Sequence, residues 1–499
     1  MVTFFIVVVT SLLVASLLHR WFKRPSVKHV KGPPSPSFWL GHQRVLRDQD
    51  NAGDLETKWR REYGTLYRIG GCLGFATPRL SNTFSILHVL ILGLITGKGL
   101  GIVTGEPHHR QRKILNPAFS TAQLRNSQVI FQRCSDKLVN GIKGSLTGTG
   151  TGDTINICVW TSKATLDIIG LAFFRYDFSS LDGSETELEQ VMKHLFTAPQ
   201  TNPSAAELIL IDLTRVLPDA VLELLRLFPT REVRQLLSVG NAAKKTAREI
   251  TVSHNGMQTS EGGRDILDIL VKARWAGKMQ DDEIEGQLMT FVIAANETSS
   301  TSLSWLLYEL AVHPEHQSII RAELKQSNDY DSMPFLNAAI KESLRLHSNI
   351  PSLIHTAPHD DILPLSGGKT LAVPKGQTLV CSAYLYNRLP SLWGDDTEEW
   401  NPARFLDKPM SVSLGVYANL MSFGAGPRSC IGWRFAWSMK YRVMEIQTIL
   451  ANLILNFEFS LPEGGVEILR FPGSPAVVPI VKGEAHLGSQ LPLRVRVLE

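Results

Sequence analysis

One cysteine closes a loop of glycine and proline, Phe423-Gly424-Ala425-Gly426-Pro427-Arg428-Ser429-Cys430-Ile431-Gly432, and apolar residues at helical spacing follow it: Trp433, Phe435, Ala436 and Met439. A loop this small lets a flat group approach the backbone closely. Amide N–H groups can then point at the sulfur, and the start of the following helix favours thiolate over thiol. A lone thiolate backed by amide donors suits the axial position of a haem iron. The remaining cysteines, Cys72, Cys134, Cys158 and Cys381, form no CxxC pair and no Cys/His spacing for zinc, and read as small buried hydrophobes. Five dispersed cysteines make no disulfide framework, so the body belongs in a reducing compartment.

The 499 residues carry a net charge of +4, too little to argue for nucleic acid. Val2 to Leu18 is nearly all apolar and uncharged, and Arg20, Lys23, Arg24, Lys28 and Lys31 come after it. As a helix this run spans about 25 Å, close to the ~27 Å core of an endoplasmic reticulum bilayer. A cleaved signal peptide wants its basic residues before the apolar run, not after it. The order here predicts a single-pass anchor over residues 1–19, with the rest of the chain in the cytosol. Lys31-Gly32-Pro33-Pro34-Ser35-Pro36 cannot continue a helix, so residues 20–36 read as a basic flank and proline-rich hinge, and 37–499 as one domain. Residues 148–152 and 255–264 read as surface loops within it.

The periodicity predicts a mainly helical domain with small peripheral sheets. Helices are expected over Ala118–Lys143, Trp160–Ala172, Glu185–Phe196, Arg231–Ile250 and Ile266–Trp275. Strands are expected near Leu66–Ile69, Leu371–Val373 with Thr378–Val380, and Ala476–Val481. The longest helix should start at the acidic residues after Gln280 and run to about His313. Its apolar stripe is broken by Asn296-Glu297-Thr298-Ser299-Ser300-Thr301-Ser302, a poor choice for helix stability alone.

The cysteine loop closely resembles the haem-binding signature of the cytochrome P450 family. Two further runs support the resemblance. Ala294-Ala295-Asn296-Glu297-Thr298 resembles the family's central-helix motif, with Ala295 where glycine is usual. Glu342-Ser343-Leu344-Arg345 resembles its ExxR motif, with Arg404 in Asn401-Pro402-Ala403-Arg404-Phe405 as the third partner. The resemblance implies the cytochrome P450 fold behind one N-terminal transmembrane helix. It implies haem b, with its iron on Cys430 and with Phe423, Gly424 and Gly432 shaping the loop. Arg428, Arg112 and His108 fall at propionate positions, His108 standing where tryptophan is usual, and His355 falls where arginine is common. Glu297 and Thr298 would bring protons to bound oxygen, a task that suits a carboxylate and a hydroxyl linked by water. Glu342, Arg345 and Arg404 would be a structural triad.

The resemblance further implies a monooxygenase in the endoplasmic reticulum membrane. Its electrons would come from NADPH through cytochrome P450 reductase, with cytochrome b5 as a second donor, and its substrate would be an apolar small molecule. His109–Phe119 most resembles fungal microsomal members, many of which oxidise terpenoids and other secondary metabolites. An isomerase or dehydratase acting on peroxides is the alternative chemistry, although such an enzyme needs no proton relay. A non-catalytic haem-binding paralogue is the other alternative, and rests on the run between Leu87 and Leu100, shorter than in most members. Gly97-Lys98-Gly99-Leu100-Gly101 and Ser366-Gly367-Gly368-Lys369-Thr370 imitate nucleotide loops, but lack the glycine spacing and, for the first, a preceding strand. Substrate contacts are expected in 90–104, 195–225, Ile350–Ile354 and Phe471–Ala476.

Overall fold

The computed structural model describes residues 27, 29–72, 76–77, 96–147, 152–192, 204–206, 208–209, 231–254, 265–406, 414–436, 445–472 and 476–498. The expected anchor over 1–19 lies outside the described residues, as do most of 195–225 and the shortened run up to 95. The longer helices are α1 (Asp54–Tyr63), α2 (Gly105–Leu115), α3 (Gln128–Ser145), α4 (Ile157–Phe174), α5 (Arg231–His254), α6 (Ile266–Trp275), α7 (Asp281–Val312), α8 (Pro314–Gln326), α9 (Pro334–Leu346) and α10 (Glu445–Asn456). The strands are β1 (Ile69–Gly70), β2 (Ala76–Thr77), β3 (Asp153–Asn156), β4 (Ser352–Thr356), β5 (Asp361–Pro364), β6 (Thr370–Val373), β7 (Thr378–Ser382), β8 (Phe457–Ser460), β9 (Ile468–Arg470), β10 (Pro479–Val481) and β11 (Pro492–Val497).

The sheets are small and antiparallel. β11 lies between β3 and β8, and the rest are two-stranded pairs. The expected strands at 371–373 and 378–380 exist but do not pair with each other. β6 pairs with β5 and β7 with β4, because Pro374 and Gly376 turn the chain away from a hairpin. Helix Ala118–Lys143 is also corrected. A 3₁₀ turn at Asn116–Phe119, an extended Ser120 and a new start after Ser127 break it into separate pieces.

α7 runs unbroken for 32 residues, through the polar stretch and past Ala295. Its start is a capping box between Gln280 and Glu283. α4 packs along it. By length and composition α4 is apolar enough to cross a membrane, but most of its residues are buried inside the protein. Phe131 of α3, Phe173 of α4, Phe291 of α7 and Phe435 of the single turn Trp433–Ala436 form one aromatic cluster, with ring centroids 4.5–6.1 Å apart. This cluster seats the turn after Cys430 against the helical core.

The glycines at 97–101 have a packing role. A Cβ at Gly99 would fall 2.5 Å from the Gly286 carbonyl oxygen of α7, and one at Gly286 would meet the Thr96 carbonyl at 2.6 Å. Ser366–Gly368 is a surface turn between β5 and β6. The amino-terminal side of the expected hinge is attached to the body. Val27 and Val30 are buried with Ala357, Leu371 and Val373, and the Arg68 N–H donates to the Lys31 carbonyl at 2.9 Å.

Candidate functional site

The loop before Cys430 is folded by its own backbone. Gly424 and Gly426 take positive φ, +66° and +71°, and the Cys430 N–H donates to the Phe423 carbonyl at 2.8 Å. The ring of Phe423 stands edge-on to buried Tyr417. The Cys430 side chain is accessible, while Ser429 and Gly424 beside it are buried. The amides of Gly432 and Trp433 are directed at the sulfur. Gly432 lies close enough that a Cβ there would come within 3.8 Å of Sγ. Sequence reasoning expected the loop to favour thiolate. In the protein alone the surrounding mass pushes the thiol up, and the two amides with Arg112 oppose that push without overcoming it.

Cations gather beside the loop without an acid. Arg112 of α2 donates to the Ser429 carbonyl at 2.7 Å, and Arg428 donates to the Val103 carbonyl. Burial lowers the pKa of both guanidiniums, and each lacks a carboxylate partner among the described residues. His108, one turn before Arg112, is held below the usual imidazole range by burial and then by Arg428 and Arg112. Two arginines facing one histidine with no anion form an unbalanced charge, which a dianionic group would neutralise. A haem carries two propionates. The open sulfur, the backing amides and this cation cluster fit that group. His355 is exposed on β4, two residues after Leu353, which approaches Gly424, so both residues occupy the loop-facing register of the strand.

On α7, Ala294 is exposed and Thr298 half-buried, although the helix is buried on both sides of them. They are four residues apart and share a face. The Thr298 hydroxyl donates to the Ala294 carbonyl at 2.7 Å. Burial pushes the Glu297 carboxyl up to about 7, even though part of its surface remains accessible. No hydrogen bond joins this carboxyl to the Thr298 hydroxyl, so the expected pair is adjacent but not in contact.

The neighbouring polar residues point to two other helices and to Asn349 in the segment after α9. Asn296 Oδ1 accepts from the Thr165 hydroxyl of α4 at 2.5 Å, Ser302 Oγ accepts from Asn349 at 2.7 Å, and Ser299 donates to Glu445 of α10 at 2.8 Å. Sequence reasoning missed these ties. The polar interruption of the stripe was the signal for them. Glu445 is wholly buried and pushed up to about 8 by that burial.

Glu342, Arg345 and Arg404 meet. Arg345 forms a two-pronged pair with Glu342 at 2.7 and 2.8 Å, and Arg404 Nε lies 3.3 Å from Glu342 Oε1. The Glu342–Arg345 pair is fully buried. Arg404 is also gripped by Asp396, which sequence reasoning missed, through two contacts of 2.8 Å. Also missed was the fastening of α2 to α7. Glu283 accepts from Arg110 at 2.6 Å and from Gln111 at 2.9 Å, and Gln287 donates to Gln111 at 2.8 Å. This holds Arg112 over the cysteine loop.

A model of the cytochrome P450 family matches residues 88–485. Cytochrome P450 monooxygenase 205 of Postia placenta is 31% identical over 94% of this chain and 93% of its own. Among relatives from Ampulloclitocybe clavipes, cytochrome P450 monooxygenase claP is 30% identical and claQ 29%, each over 98% of this chain and 96% of its own.

Proposed function

The chain belongs to the cytochrome P450 family, and from that premise we propose that it inserts one atom of dioxygen into an apolar organic substrate of fungal secondary metabolism, such as a terpenoid. It is an oxidoreductase of the monooxygenase kind, and the family implies haem held by a thiolate. We assign the axial position to Cys430. The observation that carries this is the open sulfur with two amides directed at it, beside cations that lack an acid.

When bound, the haem supplies activation of dioxygen, aided by electron donation from the thiolate. The amides of Gly432 and Trp433 hold negative charge on Sγ. Arg112, Arg428 and His108 would hold the propionates, and His355 is the further candidate from β4. Phe423 and Gly424 shape the loop's approach. The exposed Ala294 face of α7 would be the side on which a small molecule could be taken up. Thr298 Oγ1, whose proton rests on the Ala294 carbonyl, has its lone pairs free to accept a hydrogen bond on that face. Glu297, with its carboxyl near 7, gives and takes protons at neutral pH through water.

Electrons come from NADPH through a separate reductase, with cytochrome b5 as a second donor, because neither glycine run is a nucleotide loop. Basic residues after the cysteine loop, Arg434, Lys440 and Arg442, would receive an acidic reductase; Arg434 is exposed, while Lys440 and Arg442 lie outside the described residues. The apolar run at 1–19 anchors the chain in the endoplasmic reticulum membrane, with the body in the cytosol.

The test is the spectrum of the reduced, carbon-monoxide-bound protein beside Cys430→Ser. A strongly red-shifted Soret band that disappears in the variant supports the assignment. An ordinary haem band in the unaltered protein, or no haem at all, sinks it. Glu297→Gln is expected to keep that band and slow turnover by about 10²-fold or more.

A further inference from the structure

Where α7 ends and α8 begins, two imidazoles and a carboxylate come together. The nearest ligand atoms of His313, Glu315 and His316 all lie within 4.8 Å of one another. His313 Nδ1 is 3.6 Å from Glu315 Oε1, and His316 Nε2 is 4.0 Å from the same oxygen. These separations are too long for hydrogen bonds. They are slightly wider than the edge of about 3.4 Å between donors around a tetrahedral zinc ion with bonds near 2.0–2.1 Å. A contraction of these edges and of the His313–His316 separation, which is at most 4.8 Å, would close the site.

The rings are already held in place. His313 stacks on Trp400 with centroids 5.3 Å apart, and His316 lies 5.0 Å from Trp400 and 5.1 Å from Phe335. His316 Nδ1 is buried with no hydrogen-bond partner among the described residues. Trp400 is 7% exposed, and its indole N–H has no acceptor among the described residues. A water on the open position of a three-ligand ion is an acceptor of the kind it lacks. The electrostatics of the joint are balanced. The start of α8 disfavours a cation, but the end of α7, with no basic residue in its last turn, favours one at the same place.

We propose that His313, Glu315 and His316 bind a divalent transition ion of zinc's chemistry and thereby clamp the α7–α8 joint to the segment that carries Trp400. Two nitrogens and one oxygen suit zinc far better than calcium or magnesium. None of the three residues belongs to the haem site. The next residue after Trp400, Asn401, gives its N–H to Glu342 at 2.9 Å, so the ion would also steady the buried Glu342–Arg345–Arg404 cluster.

The experiment is a calorimetric titration of the full-length, haem-loaded protein with zinc chloride, with thermal midpoints measured alongside. One ion should bind, and the midpoint should rise with zinc concentration. His316→Ala and Glu315→Gln should each weaken binding by about tenfold or more. His359→Ala, an exposed histidine elsewhere, should change nothing. Glu315 is exposed, so its variant tests the site without loosening the packing on Trp400. Absence of zinc binding, or binding that survives Glu315→Gln unchanged, overturns the proposal.

Discussion

Glu342 has no accessible surface and holds two arginines; Arg404 would keep Asp396, but Glu342→Ala strands the fully buried Arg345 without a carboxylate. The expected loss is about 3–5 kcal/mol, read from denaturant unfolding. Arg345 adds carbonyl contacts to Asn387, Thr397 and Glu399 at 2.7–3.0 Å, so its removal opens the same region. Glu445 behaves differently. Its folded carboxyl sits near 8 against about 4.5 unfolded, so it favours the fold below pH 4.5 and that contribution is lost as pH rises through 8. Glu445→Gln removes this dependence. Thermal melts should show the variant gaining on the parent between pH 5 and 9, and a fixed difference across that range would count against it. At this scale, motif residues were legible because their spacing is distinctive. Asp396 was not, because an acid in a loop near Arg404 has no period to reveal it. Glu445 was not either, because no motif surrounds it and an acid at a helix start is ordinary.

The elements were legible where a single apolar face continues long enough. Ile266–Trp275 and the long α7 were read almost to the residue, because acidic starts and a 3.6-residue stripe agree. Ala118–Lys143 failed because its stripe survives two local breaks, an extended Ser120 after the Asn116–Phe119 turn and a fresh helix start after Ser127, which leave the apolar spacing intact. The fastening between α2 and α7 carries its own prediction. Burial pushes Glu283 up, but Arg110, the Gln280 N–H and Gln111 outweigh it and hold the carboxyl near 2. Its contribution is therefore complete above pH 4.5 and disappears as pH falls toward 2. Glu283→Ala removes the capping-box partner, takes the carboxylate from Arg110 and leaves Gln111 Nε2 with only the Lys98 carbonyl, for an expected cost of about 2–3 kcal/mol by chemical denaturation at pH 7. Acid titration should narrow the gap between variant and parent. Because α2 carries Arg112, the same variant should also release haem more readily, seen as faster transfer of haem to an acceptor protein.

At the scale of the molecule, helix-rich architecture with peripheral sheets followed from composition and periodicity, while strand partners did not, since short strands carry too few residues to encode their neighbours. Burial of Val27 and Val30 was equally illegible, because lysines and prolines around them read as linker. A chain begun at residue 37 should be less stable than one begun at 27 by about 1.5–3 kcal/mol per lost valine, an upper range checked by thermal or denaturant unfolding. The polar belt of α7 has a wider consequence. Thr165, Asn349 and Glu445 grip it from different sides, so it can neither roll nor slide without breaking several bonds at once. A descendant of this protein that acquires a new taste in molecules must therefore rewrite the surrounding loops and leave this axle alone. Innovation and inheritance are thus assigned to different stretches of the same gene.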